Sequence, residues 1–221
     1  MTILDWVFIG LLSTAILSGI FTLLNILFFF RNKKEIQKIK KQRIKNKRKR
    51  KKRTIRVRVL EKKKRGQLRN AILLLLFTGV FVSSAFYSRY YQSTHLGERD
   101  SEAIVQGYYL LTMLDEQMSQ INDSDNPEKL RKNIYDLSAR LASYGARTAD
   151  PRLTEEGENK INRLYSNMKE LGLNLTNQSL EQLQQAEILG GYLADVEKTK
   201  QNQKLVFDYF KVNESALKQK K

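Results

Sequence analysis

Residues 31–69 carry 22 Lys or Arg against two acids, Glu35 and Glu61, a net charge of +20. The whole chain of 221 residues carries +17, so everything outside this segment sums to −3. The chemistry of such a segment is ionic. It suits anionic lipid, nucleic-acid phosphate or an acidic protein surface. The candidate contacts are the block Lys47, Arg48, Lys49, Arg50, Lys51, Lys52 and Arg53, followed by Arg56, Arg58, Lys62, Lys63, Lys64 and Arg65. Anionic headgroups attract each nearby cation by roughly 1 kcal/mol, which puts a clamp on the inner leaflet first. Phosphate contacts give strong, sequence-independent affinity. The segment has no aromatic residue on which a single strand could stack, which places nucleic acid second.

Catalytic chemistry finds little to work with. Cysteine is absent and His95 is the single histidine, so thiolate metal sites and histidine clusters are excluded. Acids such as Asp115 with Glu116, and Glu155, Glu156 and Glu158, lie beside one another without the context that tunes acid–base pairs, and read as solvated faces. The expectation is a non-enzymatic protein without cofactor or metal.

The elements that position the cations are two apolar runs. Trp6 to Phe30 is 25 residues without a charged side chain, and Asn70 to Ser88 is 19. At about 1.5 Å per residue each spans, or nearly spans, a hydrocarbon core of roughly 30 Å. Asp5 before the first run and the Phe28–Phe30 end do not fit a cleaved signal peptide. Lys and Arg are retained on the cytoplasmic side, so the basic loop is expected in the cytoplasm and both termini outside. Trp6, Tyr87, Tyr90 and Tyr91 then meet at one outer interface, where amphipathic rings settle. Small residues at helical spacing, Gly10, Thr14, Ser18 and Thr22 in the first span and Gly79 and Ser83 in the second, are candidates for close helix packing.

Within the loop, residues 33–46 suit a helix continuing from the first span. Residues 47–53 are expected to stay extended by self-repulsion. Residues 54–60 alternate Ile55, Val57 and Val59 with Arg56 and Arg58, a strand-like period that suits an amphipathic membrane-surface segment at least as well, since a lone strand has no partner here. Beyond an outer linker at 89–99, residues 100–221 show three-four apolar stripes separated by turns. Asp100 or Ser101 caps the first helix, Pro127 opens the second, and a third runs from about Thr154 to Gly172. Ser179 with Gln182 forms a capping box for a fourth, with Gly190-Gly191 as a bend. Such stripes must bury against one another, and short connections favour an up-down bundle.

The expected fold is therefore all-α. The segments are a short outer N-terminus (1–5), spans at 6–30 and 70–88, a cytoplasmic polybasic loop at 31–69, and an extracytoplasmic bundle of four helices. The expected function is an anchor or scaffold in a bacterial cell-envelope assembly such as secretion or conjugation machinery. Its partners would be the inner leaflet and other proteins in a homo- or hetero-oligomer, with coiled-coil pairing through the three-four stripes. The alternatives are a membrane sensor with an outer bundle and a membrane tether for nucleic acid.

Overall fold

The computed structural model describes residues 3–43 and 46–218. The ends of the segments expected at 1–5 and 100–221 lie outside the described residues. Among the described residues the regular structure is helical throughout. Contacts divide the chain into two units, Met1–Tyr90 and Tyr91–Lys221.

The N-terminal unit is a hairpin of two helices, α1 (Ile3–Lys41) and α2 (Lys47–Thr94), the latter running on into the second unit. Each is long and apolar enough to cross a membrane. At 1.5 Å per residue they are about 58 and 72 Å long, well beyond a hydrocarbon core of about 30 Å. The surplus length is the basic segment, which is helical up to Lys41 in α1 and again from Lys47 in α2. Residues 47–53 are not extended and 54–60 are not a strand, because all of them lie in α2.

The physical reason is visible in the burial pattern. In α1 a series turned from solvent runs Phe8, Leu11, Ala15, Ser18, Thr22, Asn25, Phe29, Asn32, Ile36 and Ile39, with Asp5, Gly19, Ile26 and Glu35 half-buried beside it. In α2 the matching series is Val57, Leu60, Lys64, Gln67, Ala71, Leu74, Thr78, Phe81, Ala85 and Ser88, with Arg53, Glu61, Gly66, Val82 and Ser84 half-buried beside it. Both sets repeat with spacings of three and four, without a break where the apolar runs end. A helix already nucleated in the apolar run adds each further residue cheaply. Lys and Arg have good helix propensity. The partner's seam supplies a place to bury Ile36, Val57 and Leu60. Those three gains outweigh the repulsion among exposed cations. The alternation at 55–59 is incidental, since of its apolar members only Val57 turns inward.

The C-terminal unit holds α3 (Glu98–Ser119), α4 (Pro127–Gly145), α5 (Glu155–Thr176), α6 (Leu180–Leu183), α7 (Ala186–Phe210) and α8 (Glu214–Lys218). Helix α3 packs on α4 and α7, and α5 packs on the same two. The shared core includes Ile104, Leu111, Leu114, Met118, Ile134, Leu141, Ile161, Leu164, Met168, Val196 and Phe207. Local start signals are clear. The Asn126 side chain accepts from Lys129 N with Pro127 at the first helical position, Thr154 accepts from Gly157 N, and Ser179 and Gln182 form a reciprocal capping box.

Three expectations fail here. Helix α3 begins at Glu98 behind Gly97, so Asp100 lies in its first turn and is buried rather than capping. Helix α5 runs through Gly172 to Thr176, because that glycine meets α4 and does not face a turn. The capping box opens only the four-residue α6, and the long α7 starts anew at Ala186, passing Gly190 and Gly191 within one helix. Near the end of α7, Val206 and Phe207 are core while Leu205 is exposed.

Candidate functional site: the basic helical hairpin

The two strands of the hairpin are held in register by polar contacts along the seam. Ser18 Oγ and Thr78 Oγ1 are 2.8 Å apart in the middle of the apolar runs. Asn32 Nδ2 donates to Gln67 Oε1 at 2.7 Å where those runs give way to charge. Hydrogen bonds between membrane helices contribute on average about 0.6 kcal/mol each. Their larger effect is geometric, because a slip of one turn would leave the partners unmatched in an apolar seam.

The only two acids of the basic segment are both spent on this pairing. Arg56 Nη2 of α2 meets Glu35 Oε1 of α1 at 2.8 Å, and Lys40 Nζ of α1 meets Glu61 Oε1 of α2 at 2.9 Å. Glu35 and Arg56 each precede a seam residue, Ile36 and Val57. Lys40 and Glu61 each follow one, Ile39 and Leu60. One bridge therefore flanks each side of the seam, the like-with-like flanking arrangement that an antiparallel pair requires. The Lys40 ammonium holds the Glu61 carboxyl below the usual carboxylate range, first through its hydrogen bond and then through its charge. Toward the turn, Arg53 Nη1 donates to the Gln42 carbonyl at 2.5 Å. Lys64 Nζ lies 5.8 Å from the centre of the Phe29 ring.

The basic residues singled out from sequence thus divide by role. Arg53 and Lys64 sit at the seam and Arg56 is bridged to Glu35. Lys47, Arg48, Lys49, Arg50, Lys51, Lys52, Arg58, Lys62, Lys63 and Arg65 are exposed. The small-residue stripe also divides. Ser18 and Thr22 are buried in the seam, each also hydrogen-bonded to its own helix backbone. Gly10, Thr14, Gly79 and Ser83 are exposed, and a Cβ at Gly10 or Gly79 would meet nothing within 4 Å. The residue that Ser18 meets is Thr78, whose importance the spacing of glycines hid.

Counting twelve residues from the Ser18–Thr78 contact in each helix brings Trp6 level with Tyr90, and both are mostly exposed, with Tyr87 one turn away. Tyr91 stacks on His95, ring centres 3.9 Å apart.

The bridges make a test. Replacing Glu35 and Glu61 together by glutamine should speed tryptic cleavage at Arg56, Arg58, Lys62 and Lys63 severalfold, because the hairpin then opens locally. The exchange Lys40→Glu with Glu61→Lys should slow cleavage again. Equal rates in all forms would show that the acids do not close the hairpin.

Reciprocal polar and ionic contacts thus run along a single seam, and most of the cations face away from it. Comparison with known proteins returns no match for this chain among family models, curated proteins or solved structures.

Proposed function

We propose that the protein is a non-enzymatic membrane scaffold of a cell-envelope assembly, built on a two-span antiparallel coiled coil. In this reading the basic end of the hairpin stands in the cytoplasm as a stalk. The C-terminal unit works outside as a four-helix bundle formed by α3, α4, α5 and α7. One observation supports it above the others: the three-four seam runs unbroken through the apolar runs and the basic segment, so the hairpin is one stiff body. A lysine- and arginine-rich connection between two spans is retained on the cytoplasmic side, which sets the orientation. The membrane-proximal cations Arg31, Lys33, Lys34 and Arg69 lie within reach of anionic headgroups and fix the depth. The outer bundle offers isolated exposed apolar side chains, among them Met113, Tyr135, Leu173 and Leu205, for protein contact.

The chain contains no cysteine, so single-cysteine labelling has no background. Ala194→Cys, exposed on α7, should react with an impermeant maleimide on intact cells. Thr54→Cys, exposed on α2, should react only after permeabilisation. The opposite pattern would overturn the orientation, and recovery of the protein in the soluble fraction would overturn the spans. Crosslinking in native membranes should yield a species well above 25.8 kDa. A monomer would overturn the scaffold role.

A further inference from the structure

We infer that the first two turns of α2 dock the phosphate backbone of a double-stranded nucleic acid. This rests on the cytoplasmic orientation proposed above and names the partner of the stalk.

The first step concerns reach. Residues 47–53 stand 17 to 23 residues before Asn70 on one unbroken helix. At 1.5 Å per residue this places them about 25–35 Å beyond the apolar run. Screening at physiological salt acts over about 8 Å, so a leaflet's charge is largely spent before it reaches them. The Asn32–Gln67, Glu35–Arg56 and Lys40–Glu61 contacts close the stalk against folding back. Lipid therefore engages the membrane-proximal cations and leaves the tip to another anion.

The second step concerns chemistry. Residues 47–58 hold nine Lys or Arg and no acid, and Asn46–Lys52 are all exposed. Protein interfaces draw most of their affinity from aromatic and other anchors in desolvated pockets. The tip has no aromatic residue, and the one large exposed apolar side chain within 47–58 is Ile55. Affinity here has to come from charge alone. A duplex supplies it, because its phosphates release condensed counter-ions when cations replace them.

The third step concerns shape. Counting from the Ser18–Thr78 contact, Lys41 at the end of α1 is level with Ile55 of α2. Residues 47–54 therefore extend as a helix past the last helical residue of α1, which leaves no second helix beside them, and Arg53 holds the Gln42 carbonyl at their base. A helix with side chains is about 10–12 Å across and a major groove about 12 Å wide. A single strand would need stacking platforms that the tip lacks.

The test uses the full chain in phosphatidylcholine nanodiscs, which expose both faces, and a labelled 20-base-pair duplex read by anisotropy from 50 to 200 mM salt. Affinity for the duplex should fall about a hundredfold or more across that range, as several phosphate contacts demand. The variant Arg48→Gln/Arg50→Gln/Lys51→Gln/Lys52→Gln should bind at least about tenfold more weakly, with a salt slope shallower by about three. The membrane-proximal variant Lys33→Gln/Lys34→Gln/Lys62→Gln/Lys63→Gln should retain most of the affinity. Equal losses in the two variants would overturn the inference, as would tighter binding of a single strand. Polyglutamate competing as well as unlabelled duplex would assign the tip to an acidic protein. Loss of duplex binding in phosphatidylglycerol discs would assign it to lipid. None of these outcomes depends on orientation, which the Thr54→Cys labelling decides separately.

Discussion

Replacing both Gly145 and Gly172 by alanine should destabilise the C-terminal unit by several kcal/mol, the largest loss expected from two added methyl groups anywhere in this protein. The two residues lie where α4 and α5 approach backbone to backbone. A Cβ at Gly172 would stand 2.5 Å from the Ser138 carbonyl oxygen and 2.6 Å from Ala142 N. One at Gly145 would stand 2.6 Å from the Tyr165 carbonyl oxygen, and it would also strike Lys169 N. The obstructing atoms are backbone, so no rotamer change relieves them and the helices must separate. Overpacking of this kind costs about 1–3 kcal/mol per site, sometimes more. The gain from replacing a helical glycine is at most about 1 kcal/mol and does not offset it.

Gly190 and Gly191 provide the internal control. Both are helical in α7, exposed, and a Cβ at either would meet nothing within 4 Å. Alanine there should leave stability unchanged or raise it by up to about 1 kcal/mol each. Hydrogen exchange over α4 and α5 in the full chain distinguishes the cases. Protection that survives in the Gly145→Ala/Gly172→Ala protein would mean that the close approach is not needed.

The second large effect centres on Asp100, which is 2% exposed. Its Oδ1 accepts from the Tyr165 hydroxyl at 2.9 Å and its Oδ2 from Asp150 N at 2.9 Å. Asp150 in turn binds the Arg152 guanidinium, with Nε to Oδ1 at 2.8 Å. One carboxylate thus joins the first turn of α3, the middle of α5 and the connection between α4 and α5. Asp100→Ala should cost about 2–4 kcal/mol, since it orphans the buried Tyr165 hydroxyl and the half-buried Asp150 amide, at about 1–3 kcal/mol for a fully buried donor, while relieving the burial of a charge.

Tyr165→Phe separates this network from simple packing through pH. Burial, foremost, and then the charge and hydrogen bond of Asp100 push the Tyr165 phenol well above its ordinary value of 10. The folded state therefore keeps a proton that the unfolded chain releases. The resulting stabilisation is fully present below about pH 10 and is lost as pH rises beyond it. Melting temperatures from pH 8 to 11.5 should fall more steeply for the native protein than for Tyr165→Phe, which starts lower because Asp100 Oδ1 loses its partner. Parallel alkaline limbs would exclude Tyr165 as the group responsible.

How much of this was written locally can be judged element by element. The two apolar runs, the +20 segment between them and the N-caps at Asn126, Thr154 and Ser179 are properties of short stretches, and reading them needs no distant partner. The strand-like period at 54–60 misled for the opposite reason. Its alternation is a true local signal, but the competing three-four seam becomes visible only when Val57 and Leu60 are set against α1. Gly172 failed likewise. A glycine late in a helix resembles a stop, and only the Ser138 carbonyl across the gap shows that it is a contact.

The acids show the division most clearly. That Glu35 and Glu61 were the two negative charges in a basic segment was plain from the sequence. That each closes a bridge to the opposite helix was not, because a bridge depends on the register between two helices. That register follows from which buried polar atoms find one another, Ser18 with Thr78 and Asn32 with Gln67. Where charge and apolar length lie can be read along the chain, since hydropathy and charge are summed residue by residue. That the charge is carried on a paired helical hairpin emerges only from the packed fold, because it is a cooperative property of two segments set against each other.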